Sequence, residues 1–259
     1  MRVFAGEENS QQLFQAKYPY ISADEAGELF RLSKAIENQA YLLLQPHFQF
    51  SASNEALCGA EVKERLQTMY PFLDEKGMAN ALWRALRQLR FAAFFAATRE
   101  TFRFLETSFA FQFREERAWH LADFRDTTAG VRYASARVGI EICWTMADGS
   151  LRVALIEFRQ DAHPETFVSG FMANQPEIAR VIDLYDLAEM LGSADDPDFL
   201  LKRSDDLRLW RKQLKIVQAR MPEVLAGLAR ATQKYAAPIL RGDTTLIAQV
   251  IQFRSPQSR

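Results

Sequence analysis

The stretch Val138-Gly-Ile-Glu-Ile-Cys-Trp-Thr-Met146, Ala147-Asp148-Gly149-Ser150, Leu151-Arg-Val-Ala-Leu-Ile-Glu-Phe-Arg159 decides the fold. Two runs rich in β-branched and aromatic residues flank Asp-Gly, which readily supplies the positive φ angles of a type I′ turn, so the stretch predicts a β-hairpin. With Asp148 and Gly149 as the loop, Ala147 pairs with Ser150, Ile140 lies opposite Glu157, and Val138 opposite Arg159. Side chains alternate across a strand. One face therefore takes Ile140, Ile142, Trp144, Met146, Leu151, Val153 and Leu155, with Glu157 and Arg159 at its far end. The other takes Glu141, Cys143, Thr145, Arg152, Ala154, Ile156 and Phe158. Both faces are at least half apolar, which predicts a hairpin central in its sheet and covered by helices.

Upstream of the hairpin the period is helical. Ala23 to Leu44, Glu61 to Leu73 and the run from Met78 through Leu82, Leu86, Leu89 and Ala93 to Ala97 repeat apolar residues at three- and four-residue spacing. Phe109, Phe111 and Phe113 then alternate with Ala110, Gln112 and Arg114, a strand pattern. Downstream, Pro176 and Gly192 bracket an apolar stripe from Ile178 to Leu191 and predict a helix. Residues 192 to 198, Gly-Ser-Ala-Asp-Asp-Pro-Asp, read as a linker. Ser204-Asp205-Asp206 resembles a helix start, with acids where the helix dipole favours them. The helix it opens carries Leu207, Trp210, Leu214, Val217 and Met221, and Pro222 ends or kinks it. Glu223 to Tyr235 is a further helix, and Thr245 to Phe253 alternates as a last strand before a frayed tail. Short strands between blocks of helix define an α+β fold: a helical N-terminal half, a central antiparallel sheet and a helical C-terminal part. The expected divisions are 1–106, mainly helical; 107–193, sheet with hairpin and following helix; and 197–259, basic and helical with the last strand. They form one compact domain or two closely packed ones.

Composition narrows the classes of function. Of 259 residues, 48% are apolar and 25% charged, which excludes collagen-like, low-complexity and disordered chains. The net charge of −1 provides no global pull toward nucleic acid or an anionic membrane. The longest apolar run, Phe91 to Ala97, is too short to span a bilayer, and the start lacks a signal-peptide apolar region. Cys58 and Cys143, far apart, fit reduced thiols. The expected location is the cytoplasm, with no membrane association.

Local charge is less even. Residues 131–200 hold 5 basic and 12 acidic groups, whereas residues 201–259 hold 12 and 4. On the helix after Ser204, Arg208, Arg211, Lys212 and Lys215 fall within one arc of roughly 100° at helical spacing. Such a ridge meets phosphates or an acidic protein surface. The competing account is internal: Asp183, Asp186, Glu189, Asp195, Asp196 and Asp198 lie nearby in sequence and would neutralise it. No aromatic residue is interleaved on the arc, which places nucleic acid behind protein as the expected partner.

The sequence carries few signatures of catalytic machinery. His47, His120, His163, Cys58 and Cys143 form no pair at metal-ligand spacing, so no metal or cofactor is expected. There is no Gly-x-Ser-x-Gly elbow, no phosphate-binding glycine loop, and Cys143 reads as a small buried hydrophobe. The strand ending Leu155-Ile156-Glu157-Phe158-Arg159 resembles the third strand of the PD-(D/E)XK nuclease superfamily, in which an acid and a lysine two residues apart share a face. That resemblance implies a metal-dependent nuclease in which Glu157 and Arg159 are catalytic. The sequence departs from the pattern in carrying Arg159 in place of lysine, and in the expected register Ile140 and Val138 supply no second acid. Arg114 or Arg117 followed by His120 is similar to the motif of HEPN ribonucleases, which requires a helix there. Twenty phenylalanines and four tryptophans exceed one helix seam and serve either as core or as a docking patch. Taken together, these features predict a non-catalytic interaction protein, of the bacterial immunity, adaptor or inhibitor type. Its binding residues would be Arg208, Arg211, Lys212 and Lys215, and the metal-dependent nuclease is the alternative.

Overall fold

Ser22 starts the first helix among the described residues by accepting from the Glu25 backbone N–H while the Glu25 carboxylate accepts from the Ser22 N–H, a reciprocal capping box. In the computed structural model, residues 20–120, 127–146, 149–160, 177–201 and 207–255 are described, without the side chains of 54, 55, 119, 120, 127 and 207–211. The chain divides into two units, Met1–Ala93 and Phe94–Arg259.

The described residues of the first unit are mainly helical. Helix α1 (Ala23–Leu44), α2 (Asn54–Leu57), α3 (Ala60–Met69) and the first part of α4 (Glu75–Thr101) bury Ile36, Ala40, Leu44, Val62, Leu66, Leu82 and Leu89 in one cluster. Sealing each leucine is worth about 1.5–3 kcal/mol. Asp74 caps α4, its carboxylate accepting from the Gly77 N–H at 2.6 Å.

The second unit holds a five-stranded antiparallel meander in the order β1-β2-β3-β4-β5. Its strands are β1 (Gln112–His120), β2 (Thr127–Ala134), β3 (Val138–Thr145), β4 (Ser150–Phe158) and β5 (Ile178–Asp183). Its described helices are α5 (Phe104–Phe109), α6 (Leu184–Met190), α7 (Leu207–Tyr235), α8 (Ala237–Leu240) and α9 (Thr245–Arg254). The α+β class with helical N- and C-terminal parts around a central antiparallel sheet is therefore the observed fold.

The hairpin turns where expected, but its register differs. Thr145 pairs with Ser150, Ile140 with Leu155 and Val138 with Glu157, so the loop is residues 146–149 rather than two residues. Gly149 supplies a φ of +68°, and a Cβ there would lie 2.4 Å from the Leu214 Cα, so its turn is set by close approach to α7. The shift moves each partner by two positions and leaves the faces unchanged. Ile140, Ile142, Trp144, Leu151, Val153 and Leu155 share one buried face, where Trp144 meets Phe94 with ring centroids 5.7 Å apart. Ala129, Val131 and Tyr133 of β2 extend that face.

Three other expectations are corrected. Residues 178–183 are an edge strand, not the start of a helix: Ile182 pairs with Leu155 and Arg180 with Glu157, and helix begins only after Asp183 caps Tyr185 N–H at 2.8 Å. Ile178 and Ile182, both buried, fit one face of either element, and pairing with β4 decides between them. Thr245–Arg254 is a helix, not a last strand: Asp243 accepts from the Thr245 N–H at 3.0 Å, and Ile247 and Val250, three residues apart, are the buried pair. The alternating phenylalanines do not begin a strand at 109. Phe109 ends α5, Ala110 takes a left-handed conformation at φ 55°, and the Phe111 N–H returns to the Leu105 carbonyl before β1 starts at Gln112.

Candidate functional site

Helix α7 carries all four positions of the expected cationic ridge, and it bends at Arg220, just before Pro222. Lys212 and Lys215 are exposed, and neither forms an ion pair with an acid among the described residues. The side chains of Arg208 and Arg211 lie outside the described residues. The Gly149 turn packs on the α7 backbone at Leu214, between the two lysines, so the sheet fixes where this part of the helix sits.

The acidic segment is neutralised, but by other cations. Asp196 accepts from Lys234 Nζ at 2.6 Å and from the Tyr235 hydroxyl, and Asp198 accepts from Arg230 Nε at 2.7 Å. Arg254 of α9 bonds Asp186 and reaches Glu189 at 2.8 Å. Asp183 is used as a cap. A side chain at Gly227 would put its Cβ 2.3 Å from the Asp198 carbonyl oxygen, so glycine lets the expected linker lie directly on α7. Phe199 locks it further, its ring stacked 6.2 Å from that of Tyr235 and edge-on to Tyr185 at 5.4 Å. Hydrogen bonds from Lys234, then Tyr235, then the Asp198 N–H hold the Asp196 carboxyl well below the usual range.

The nuclease-like strand is built differently from its resemblance. Glu157 Oε1 accepts from Thr244 Oγ1 at 2.7 Å, and Oε2 lies 3.4 Å from Arg180 Nη1 across the strand pair. The cation beside Glu157 is thus Arg180 of β5, while Arg159 is exposed and anchors the chain through its backbone N–H on the Glu177 carbonyl. Among the described residues no group of three or more His, Cys, Asp or Glu side chains could hold a metal. Arg114 and Arg117 sit on strand β1, not on the helix that the ribonuclease motif requires.

Sequence reasoning missed the most deeply buried charges. Arg132 of β2 pairs with Glu141 of β3 on the sheet face opposite Trp144. Its Nε and Nη2 lie 2.7 and 2.6 Å from one oxygen of Glu141, and both residues are 0% exposed. Glu115 of β1 lies 3.8 Å from Arg132 and 3.7 Å from Arg117, which carries the charge row across three strands. Burial raises the Glu141 carboxyl above its ordinary range, opposed by Arg132. Burial, then the Glu141 charge, pushes the Cys143 thiol well up, which leaves it a poor nucleophile. The available signal was β2 itself, Thr-Thr-Ala-Gly-Val-Arg-Tyr-Ala, whose alternation sets Arg132 on the face opposite Ala129, Val131 and Tyr133.

No protein-family model matches the sequence, and neither a curated protein nor a solved structure matches the chain. No helix among the described residues is long and apolar enough to cross a membrane.

Proposed function

We propose that this chain is a non-catalytic protein-binding module, of the immunity, adaptor or inhibitor type, acting in the cytoplasm on an acidic partner protein through the basic start of α7. The observation that carries the reading is the division of ion pairs. Asp186, Glu189, Asp196 and Asp198 are occupied by Arg254, Lys234 and Arg230, while Lys212 and Lys215 stay exposed with no acid partner among the described residues. Cations left out of internal pairing attract a negative surface, and such complementarity acts mainly on association rate and selectivity. Two cysteines outside any disulfide support the reducing compartment. The nuclease alternative gains nothing from Glu157, whose oxygens face Thr244 and Arg180.

The test is affinity capture with the native chain and with a variant in which Arg208, Arg211, Lys212 and Lys215 are replaced by Glu, followed by reconstitution with the purified partner. The partner is expected to be acidic, its association rate to fall at least about tenfold in the variant and with added salt, and the melting temperature to stay nearly constant. Equal capture by both chains removes the ridge from the account. Stabilisation by Mg2+ or Mn2+ together with nucleic-acid cleavage lost in Glu157→Gln replaces the reading with the nuclease.

A further inference from the structure

Strand β5 (Ile178–Asp183) ends the sheet: it pairs with β4, and no described strand lies on its other side. Ala179, Arg180 and Val181 are exposed in succession. Adjacent strand residues point to opposite faces, so the exposed Arg180 and Val181 leave the middle of the strand open on both. Such an edge presents a row of backbone N–H and C=O groups that another extended chain satisfies. Edges are commonly guarded by lysine, proline or a bulge. Here the strand holds neither Lys nor Pro, and its one cation reaches back into its own sheet, Arg180 Nη1 lying 3.4 Å from Glu157. The bulge, at Ala179, lies toward one end and leaves Arg180 to Asp183 regular.

Apolar surface gathers beside this edge. Among the described residues of the second unit, four large apolar side chains are exposed: Val181 at 38%, Leu191 at 46%, Ile251 at 38% and Phe253 at 46%. They belong to β5, to the residue that ends α6, and to α9, three elements packed on one another. Exposed apolar side chains concentrated in one region mark an interaction site. The ion pairs beside them are closed. Arg180 is held by Glu157, and Arg254 of α9 by Asp186 and Glu189, so these charges balance within one copy. They neither repel a second copy nor favour a charged partner, and the backbone edge with its apolar flank is a surface that an identical edge matches.

We propose that β5 is the interface of a homodimer, in which the β5 strands of two copies pair antiparallel across a two-fold axis at Val181 and join two five-stranded sheets into one. A two-fold contact uses the same patch on both copies, which antiparallel pairing of identical strands satisfies. With the axis perpendicular to the sheet, each face continues onto itself, so opposed residues have positions of the same parity. Two registers centre on the open edge. One sets Arg180 against Arg180 of the second copy, like charges directly opposite, which destabilises a strand pair. The other sets Val181 against Val181 and Arg180 against Ile182, and side-chain chemistry selects it. Specific interfaces bury about 1,000 Å² or more, and Leu191, Ile251 and Phe253 widen the contact beyond the strand. The surface is separate in sequence from the basic start of α7 and stands without it.

The experiment is sedimentation equilibrium of the full chain across the micromolar range, with cysteine cross-linking to fix the register. The expected mass is that of a dimer. Val181→Lys, which sets two ammonium groups on the axis at an exposed position, weakens dimerisation at least about tenfold. In the paired register the Cα atoms of residue 181 lie about 4.5–5.5 Å apart, within disulfide reach. Those of residue 179 lie four residues apart along the strands, about 13 Å. Mild oxidation therefore links Val181→Cys into a covalent dimer and leaves Ala179→Cys unlinked, and circular dichroism verifies each fold. A monomer at every concentration, whether or not its edge takes up another protein's strand, overturns the proposal. So does an unchanged dimer in Val181→Lys, or equal linking of the two cysteine variants. Loss of the dimer in Lys212→Glu with Lys215→Glu overturns it too, by moving the contact to α7.

Discussion

Arg132 directs two nitrogens at a single oxygen of Glu141, and the pair lies sealed inside the sheet face opposite Trp144. Desolvating two ions costs several kcal/mol, and the mutual attraction offsets that cost only while both partners are present. Glu141→Gln is therefore expected to lower unfolding free energy by about 3–5 kcal/mol, and Arg132→Met by a similar amount. The double variant Arg132→Met with Glu141→Leu recovers most of the loss. Urea titration of the three variants checks this, and additive losses in the double variant would show that the two side chains act independently.

Gly149 and Gly192 share nearly the same backbone angle, φ +68° and +73°, in opposite surroundings. A Cβ at Gly149 strikes the Leu214 backbone, whereas at Gly192 nothing lies within 4 Å. Gly192→Ala is expected to cost about 1 kcal/mol, the conformational penalty alone. Gly149→Ala adds a displacement of α7 and should cost about 2–4 kcal/mol. Thermal denaturation of both variants decides the point, and equal losses would mean that the hairpin does not bear on α7.

The Asp196 latch predicts a pH response of definite sign. Its carboxyl, held low by Lys234 and Tyr235, binds a proton more weakly in the folded chain than in the unfolded one. It therefore adds stability above the ordinary aspartate pKa of about 3.9 and loses it as pH falls below that value. Asp196→Asn should be less stable than the parent at pH 7, with the gap closing progressively toward pH 2. A gap that holds constant across that range would mean the latch contributes by shape and not by charge.

Legibility in the sequence follows the range of the forces involved. The faces of β3 and β4 could be read because alternation is local and any even shift preserves it. Their register could not, because Leu214, far along the chain, positions Gly149. Ile178 to Asp183 and Thr245 to Arg254 carry apolar residues at spacings that serve a strand and a helix alike, and neighbouring elements chose. The placement of Lys212 and Lys215 on one exposed helix could be read from spacing alone, but the cations that neutralise Asp196 and Asp198 could not. Lys234 and Arg230 lie further along the same helix, and only its packing against the 192–201 segment brings them there. Glu141 was assigned to the correct face, yet its importance depends on Arg132, which only the pairing of β2 with β3 brings opposite it.

The meander has a consequence for how the chain is made. Each strand from β2 onward lies beside the strand translated just before it, so a ribosome delivers the sheet hairpin by hairpin, with no waiting for a distant partner. The helices that follow β5 emerge last, and α7 brings the Leu214 backbone that seats the β3–β4 turn. Synthesis that stalls before residue 207 thus releases a nascent sheet whose turn has lost its seat, a product for chaperones or proteases to collect.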